Sequence, residues 1–444
     1  MVSREQPKES LQLQDRPTRS ADNSSDTPNE TFSLPPVDEG RDAWFCLFGC
    51  FIIESLVWGF PASFGIFQEY YTSHAPFAEQ SSGIAAIGTT SLGIIYLSGP
   101  LMFGGLAYWP HLRKHATYAG LLCMTVSLIA SSFANAVWQL LLTQGVLYAI
   151  GGSLLYSPTV TYVDEWFVRR KGLAYGVMWA GSGFAGASIP YLMSWVLDRW
   201  SFHTALRMWA IVLVLLVLPF LHFTRPRVPV NAASSAPRAR FNFSFLKSRL
   251  FIIYSLGNAI EGLGYFLPSI WLPTYARSIG SSNTIATATL ALLNASAVLG
   301  CIILGLVIDR THITTAILLS TIGALLSVFI FWGLASSTGM LLAFAITYGF
   351  FAGSFSTTWS GIIKEVMASK PDTHPSLVFG FLALGRGIGS ICSGPMSDAL
   401  VRMTASSAKS KLGYSSDYSS LIIMTGVTAA VGGLSWGARR FTWV

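Results

Sequence analysis

This chain of 444 residues has few charged side chains: 11% are Asp, Glu, Lys or Arg, against about 25% in soluble domains. A soluble fold of this size could not cover its surface with so few charges. Hydrophobic residues make up 52% of the sequence, and apolar runs of about 20 residues recur along it. Each run is long enough to cross a hydrocarbon core of roughly 30 Å. The composition therefore predicts a protein embedded in a membrane.

The sequence also lacks the patterns of metal sites, disulfide frameworks and nucleic-acid binding. Its five cysteines lie inside apolar runs without metal-ligand spacing. His111 and His115 are four residues apart, but they stand in a loop beside a proline with no third ligand. The net charge of +7 comes from short basic segments between apolar runs. We expect no metal, no cofactor and no nucleic-acid partner, and these absences argue against an integral membrane enzyme.

The first forty residues are polar and hold no apolar segment of the kind that a secretory signal peptide contains. Because they are rich in Ser, Pro, Asp and Arg, residues 1–42 are predicted to form a disordered cytosolic tail. Uninterrupted apolar character over long spans predicts helices, since strands that cross membranes alternate polar and apolar residues. Twelve such spans lie near residues 43–69, 84–108, 115–134, 137–163, 172–197, 203–224, 250–276, 285–308, 313–334, 340–366, 376–400 and 419–438.

The basic residues between the spans predict how the chain lies in the membrane. About 21 Lys and Arg residues fall on one side and about 5 on the other, so both termini are predicted to be cytosolic. Residues 225–248 form a cytosolic linker between six spans in residues 43–224 and six in residues 249–444. The expected fold class is an all-α membrane protein of two six-helix bundles. We further expect a monomer in the lipid bilayer of the plasma membrane.

The two halves repeat an energetically costly pattern. Glu54 and Glu261 each lie in the middle of an apolar stretch and are followed seven residues later by a proline. A carboxylate in hydrocarbon costs about 3 kcal/mol, so it rarely persists without a function. Six spans separate equivalent positions, which predicts two halves related by an axis along the membrane normal, with a polar site near that axis. Glycines recur in the same way, since Gly176, Gly181 and Gly183 are echoed by Gly380, Gly385 and Gly387.

Three motifs resemble those of a known transporter family. Residues 305–310, Gly-Leu-Val-Ile-Asp-Arg, are similar to the loop motif that the major facilitator superfamily carries between spans eight and nine. Residues 39–44 and 166–176 resemble the starts of spans one and five in its monocarboxylate porter group, particularly in the fungal members. The resemblance covers all twelve spans. It implies two pseudo-symmetric bundles that move a small or medium organic anion, together with protons, by alternating access.

One departure from this group favours a different specificity. Many of its members have an arginine after the glycine of span eight, where this chain has Cys301. Efflux of a fungal secondary metabolite is therefore an alternative to transport of a monocarboxylate-like anion. A membrane nutrient sensor without transport activity is an alternative of another class.

Two glutamates and one arginine are candidates for the transport chemistry. Glu54 and Glu261 fall about ten residues into spans one and seven, near the bilayer midplane. We predict proton coupling by one or both, and the alternative is a permanently protonated glutamate bonded to a neighbouring helix. Arg386, about ten residues into span eleven, is predicted to bind the carboxylate of a substrate. Its alternative is a structural ion pair with one of the two glutamates.

The resemblance implies further roles. Spans one, four, seven and ten would line the central cavity, where we expect Trp58, Tyr156, Tyr265 and Trp359 to contact the substrate. Ion pairs at cytosolic helix ends are predicted to gate the inner mouth, through Asp164, Arg169, Arg170, Asp309 and Arg310. The residues predicted to let helices approach closely are Gly176, Gly181, Gly183, Gly186, Pro190, Gly385 and Gly387.

Overall fold

Twelve long helices make up the part of the fold that the structure describes. The computed structural model describes residues 34–80, 83–228, 241–405 and 413–440, and within these ranges it contains no strand. The predicted all-α fold is confirmed. The helices are α1 Arg41–Ser73, α2 Ile84–Tyr108, α3 Leu112–Ser131, α4 Val137–Trp166, α5 Lys171–Arg199, α6 Phe202–Leu221, α7 Arg249–Ser278, α8 Asn283–Arg310, α9 Ile313–Trp332, α10 Thr338–Ser369, α11 Pro375–Ala405 and α12 Ser419–Arg440.

By length and composition, 10 of the described helices could cross a membrane, and α3 and α5 are not among them. Helix α3 contains Arg113 and Lys114 in its first turn, and α5 is rich in glycine and serine, which makes both less apolar. They nevertheless pack inside the fold, α3 against α4 and α6, and α5 against α1 and α8. Most of the predicted tail, residues 1–33, and part of the predicted linker, residues 229–240, lie outside the described residues.

Helix α1 continues through Pro61, which has no N–H to donate to the carbonyl one turn earlier. That carbonyl belongs to Val57. Tyr148 of α4 donates its hydroxyl to it (3.3 Å) and to the carbonyl of Leu56 (3.1 Å). A buried tyrosine thus provides a donor for the acceptor that the proline leaves free. The contact fixes α1 against α4 within one turn of Glu54.

The two halves meet along two helix pairs, α5 with α8 and α2 with α11. Glycines let these backbones approach each other. A Cβ atom placed on Gly176 would lie 2.3 Å from the carbonyl oxygen of Cys301, and one on Gly380 would lie 2.9 Å from that of Gly99. Larger residues would therefore force the helices apart at both contacts.

The apolar cores show at which end the halves are joined. We call the end where α1 begins and α8 ends the basic end, and it is the end predicted to be cytosolic. One core contains residues of the first six helices together with basic-end residues of the second half, such as Tyr254 and Leu377. A second core lies at the opposite ends of α7 to α12 and includes Tyr275 and Trp332. The halves are therefore packed together at the basic end.

Candidate functional site

An ion pair joins the arginine of α11 to the glutamate of α7. Arg386 Nη1 lies 2.5 Å from Glu261 Oε2, and the two residues are only 1% and 5% exposed. The guanidinium carbon also lies 4.5 Å from the ring centre of Tyr265, where the π electrons attract a cation. The structure thus brings together Arg386 and Tyr265, both predicted to bind substrate, with Glu261, predicted to couple protons. In this conformation the arginine forms the ion pair that the sequence left as its alternative role.

Glu54 of α1 has no such partner. It is fully buried, and within the described part of the chain neither of its carboxylate oxygens makes a hydrogen bond. The indole N–H of Trp58 lies close to the Glu54 carboxyl group but outside hydrogen-bond geometry. The Tyr156 hydroxyl, which also lacks a hydrogen-bond partner among the described residues, lies near the same carboxyl group. Each buried polar group without a partner costs about 1–3 kcal/mol, so a group of them needs a physical reason.

Tyr96 of α2 lies between Glu54 and the Arg386–Glu261 ion pair, although no motif marks it in the sequence. Its ring centre is 4.8 Å from that of Trp58, and its hydroxyl is within electrostatic range of Arg386 and Glu54. A Cβ atom on Gly387 would lie 2.4 Å from its Cβ. The close approach of α2 to α11 therefore places this tyrosine at the site, which no pattern within one helix could predict.

Cys301 of α8 completes this region. Its thiol is within electrostatic range of Glu54 and of Arg386, and the residue is buried. The position that departs from the monocarboxylate porter pattern thus lies near both the unpaired carboxyl group and the ion pair. A side chain there contributes to the shape of the site and adds no charge.

Aromatic rings separate this site from the basic end. Trp359 of α10 lies 5.5 Å from Trp179 of α5 and 5.1 Å from Phe379 of α11, measured between ring centres. Phe379 also contacts Phe103 of α2, at 4.7 Å. Phe379 is two turns nearer the basic end than the arginine of α11. We call these four residues the aromatic cluster, and it joins both halves.

Trp359 was expected at the substrate, and its position is set by a hydrogen-bond chain. Its indole N–H donates to the Asn258 side-chain oxygen (2.9 Å), and the Asn258 amide donates to the carbonyl of Leu382 (2.7 Å). This chain holds Trp359 in the aromatic cluster. A contact with substrate at this residue therefore requires that the cluster open.

At the basic end, Asp309 links the halves. Its carboxylate oxygens accept hydrogen bonds from the backbone N–H groups of Gly172 (2.6 Å) and Leu173 (2.9 Å) at the start of α5. A carboxylate is favoured there because a helix N-terminus carries partial positive charge. The partners thus differ from those predicted. In the part of the chain that the structure describes, three arginines proposed for gating form no ion pair: Arg169, Arg170 and Arg310.

A cavity of about 230 Å³ lies beside this contact. Arg169 and Lys171 line it on the side of the first half, and Lys364 lines it on the side of the second. Lys171 is paired with Asp164 at 2.7 Å. The gating candidates Arg169 and Asp309 therefore line one cavity between the halves, and Asp164 is paired with a lysine that lines it.

Ion pairs at the basic end follow the internal repeat. Glu165 of α4 pairs with Arg113 at 2.7 Å, and Glu365 of α10 contacts His312 at 3.4 Å. The corresponding residues are about 200 positions apart, which supports the division into two related halves.

His374, just before α11, lies near Arg113, and burial together with that charge lowers its pKa. This histidine is therefore held neutral near physiological pH.

The residues predicted for helix packing differ in how closely they are approached. Cβ atoms on Gly183 and Gly186 of α5 would lie 2.9 Å and 2.8 Å from atoms of Asn294 on α8. Gly385 has more room, since its closest contact would be 3.5 Å away. Pro190 lies inside α5. Of the predicted glycines, Gly176 of α5 and Gly387 of α11 are approached most closely, at 2.3 Å and 2.4 Å, one in each helix pair where the halves meet.

Replacing Asp309 with alanine is expected to open the basic end more often. Two N–H groups of α5 would lose a charged acceptor, which shifts the closed-to-open ratio about tenfold. The measurement is the alkylation rate of Cys301, buried at 3% exposure, by a water-soluble maleimide in a chain whose other four cysteines are serine. Exposed Asp372, replaced with alanine, is the matched control. Equal rates in the two variants would contradict a closing role for Asp309.

Comparisons with known proteins agree with this architecture. The family model of the Major Facilitator Superfamily matches residues 43–394. The chain is 27% identical over 375 residues to the MFS-type transporter pynF of Aspergillus niger, covering 82% of this chain and 84% of that protein. It is 29% identical over 370 residues to the agnestins efflux protein AgnL12 of Paecilomyces divaricatus, covering 82% and 83%. For the aspyridones efflux protein apdF of Emericella nidulans the identity is 24% over 372 residues, covering 82% and 72%. The chain therefore belongs to the major facilitator superfamily and is a multi-pass membrane transporter.

Proposed function

We propose that this protein exports a secondary metabolite by alternating access, while protons move in the opposite direction. Two similar proteins bear the efflux of agnestins and of aspyridones in their names. The observation that carries the proposal is the unequal state of the two repeated glutamates. Glu261 is paired with Arg386, whereas Glu54 has no hydrogen-bond partner among the residues described. Glu54 is therefore the carboxyl group assigned to proton exchange.

The coupling follows from the cost of burying charge. Without a counter-charge, a buried carboxyl group is favoured in its neutral, protonated form. When the halves separate at the basic end, water and substrate reach Glu54, and the proton can leave. A substrate that hydrogen-bonds to the resulting carboxylate takes the place of the proton. Protons and substrate thus occupy the site alternately, as exchange in opposite directions requires.

The packing of the halves supports this cycle. They share one apolar core at the basic end, and Asp309 of α8 binds the start of α5 there. If that end is cytosolic, as the basic residues predict, the protein is closed toward the cytosol in this conformation. Breaking the Asp309 contact and parting the aromatic cluster would admit substrate from that side.

Transport into inside-out vesicles with an acidic lumen tests the proposal. A labelled agnestin or aspyridone, the compounds in the names of the two similar proteins, is expected to accumulate, whereas labelled benzoate is not. In the Glu54→Gln variant, uptake driven by the proton gradient is expected to fall about tenfold, because the amide cannot exchange a proton. Exchange of substrate for substrate is expected to continue. Glu69, an acidic residue near the end of α1, provides a control as Glu69→Gln. Undiminished gradient-driven uptake by Glu54→Gln would contradict the proposal.

Symport of a monocarboxylate is the second candidate. It is favoured by the buried guanidinium of Arg386 over the ring of Tyr265, because a substrate carboxylate that replaced Glu261 would bind the planar guanidinium with two hydrogen bonds. This mechanism predicts that benzoate moves in the same direction as protons. The same vesicles with an acidic exterior distinguish the two candidates.

A further inference from the structure

The internal repeat relates the two halves residue by residue at the site. Glu54 and Trp58 of α1 occupy the same places in their helix as Glu261 and Tyr265 in α7. In both pairs the aromatic residue follows the carboxylate by one helical turn and lies on the same face. Each half therefore contains a buried carboxyl group with an aromatic ring beside it.

The halves differ in what faces that carboxyl group. The glycines of α5 and α11 align Gly181-Ser182-Gly183 with Gly385-Arg386-Gly387, so Ser182 corresponds to the arginine. The hydroxyl of Ser182 donates within its own helix, to the carbonyl of Trp179 at 2.8 Å. The first half thus has the carboxyl group and the ring of the second half without the cation that binds them.

Seven side chains of the first half have buried polar atoms that make no hydrogen bond with any described residue, and four of these side chains are neighbours: Glu54, Trp58, Tyr156 and Trp179. We call these four the unpaired cluster. They come from three helices and lie together. The ring centres of Trp58 and Tyr156 are 6.1 Å apart, and those of Tyr156 and Trp179 are 6.3 Å apart. Buried polar groups are nearly always hydrogen-bonded, so four neighbouring exceptions indicate a ligand that supplies the partners.

The chemistry of the unpaired cluster defines that ligand. The Glu54 carboxylate accepts hydrogen bonds, whereas the two indoles and the phenol donate them. Rings of Trp58 and Tyr96, 4.8 Å apart, provide flat apolar surfaces. The neighbouring cation, Arg386, is already neutralised by Glu261. A substrate carboxylate would therefore meet the negative charge of Glu54 without a free cation to offset it.

We propose that the unpaired cluster recognises a neutral, planar aromatic molecule whose hydroxyl group donates to Glu54 and whose carbonyl oxygen accepts from Trp58, Tyr156 or Trp179. The inference rests on the proposed export function, since it names the substrate class for the same site. When the proton leaves Glu54, the hydroxyl group of this substrate donates a hydrogen bond to the resulting carboxylate.

Equilibrium binding to the purified full-length protein tests the inference without any gradient. The probe is a tritiated monohydroxyflavone, and the competitors are its methyl ether, which has the same shape but cannot donate, and naphthoate, an aromatic anion. The wild-type protein is expected to bind the hydroxyflavone about tenfold more tightly than either competitor. In Glu54→Leu the preference for the hydroxyl group should fall to about twofold or less, because the acceptor is gone.

Variants that each remove one hydrogen-bond donor provide matched controls. Trp58→Phe and Tyr156→Phe each remove one donor and are expected to weaken hydroxyflavone binding about fivefold. Trp209→Phe removes an indole N–H of α6 that is also without a partner among the described residues but lies outside the unpaired cluster, and it should leave binding unchanged. If Glu54→Leu fails to fold in size-exclusion chromatography, Tyr156→Phe against Trp209→Phe decides the question.

The outcomes separate this inference from the proposed function. Equal affinity for the two flavones, tighter binding of naphthoate, or no binding of any flavone would overturn the substrate class while leaving export of another metabolite in place. Selective binding of the hydroxyflavone without gradient-driven uptake would support the binding site and overturn the export mechanism.

Discussion

Replacing Arg386 with methionine is expected to lower the free energy of unfolding by about 3–5 kcal/mol, because Glu261 would remain as a buried carboxylate without its counter-charge. The arginine is 1% exposed and lies 2.5 Å from the carboxylate, so water cannot replace it. Methionine keeps most of the side-chain length, and the loss therefore reports charge rather than volume. Thermal unfolding of the detergent-purified protein measures the effect.

The double variant Arg386→Met/Glu261→Gln is the informative control. It removes both charges, and the stability is expected to recover to within about 1–2 kcal/mol of the wild type, since an uncharged pair carries no such desolvation penalty. Replacing Arg207, an exposed arginine of α6, with methionine is expected to lower the free energy of unfolding by less than about 1 kcal/mol. If the single Arg386 variant were as stable as the double variant, the ion pair would not be the reason for burying this charge.

Replacing Gly176 with alanine is expected to disrupt the contact between α5 and α8. The new Cβ atom would lie 2.3 Å from the carbonyl oxygen of Cys301 and 3.0 Å from its carbonyl carbon, and backbone atoms cannot rotate away. We expect a loss of about 1–3 kcal/mol from overpacking and a wider spacing between the two helices. Thermal unfolding reports the first effect, and the distance between spin labels at the basic ends of α5 and α8 reports the second.

Gly105 of α2 is the matched control for this change. Among the described residues, no atom lies within 4 Å of a Cβ atom placed there. Alanine at this position is expected to be neutral or to stabilise the helix by up to about 1 kcal/mol, because it is the better helix former. Similar melting temperatures and similar helix spacings in both variants would show that the glycine at residue 176 is not required for close packing.

The sequence predicted the helices well because the membrane sets simple rules. A helix must span a fixed apolar thickness and satisfy its own backbone, so long apolar runs reveal their approximate ends. Glu54, Glu261 and Arg386 were found for a similar reason, since a charge stands out in an apolar run. The resemblance to the monocarboxylate porter group stays a prediction, whereas the superfamily is established.

Features that depend on contacts between helices could not be predicted from the sequence. Tyr96 and Trp179 are ordinary aromatic residues of apolar spans, and only the packing of α2 against α11 and of α5 against α4 and α8 gives them a role. The motif identifies Asp309, but its partners are backbone N–H groups. Nearly every residue type has such a group, so the sequence does not show which ones bind the carboxylate. Trp359 was assigned to the right helix, but its depth and its bond to Asn258 were not predictable.

The aromatic cluster has a consequence for the open conformation. In the proposed cycle, opening toward the basic end parts Trp179, Trp359 and Phe379 and exposes their ring surfaces to water, which costs free energy. A flat aromatic substrate would cover those surfaces as it enters. In that cycle, the rings therefore favour the open conformation that holds substrate over the open conformation that is empty.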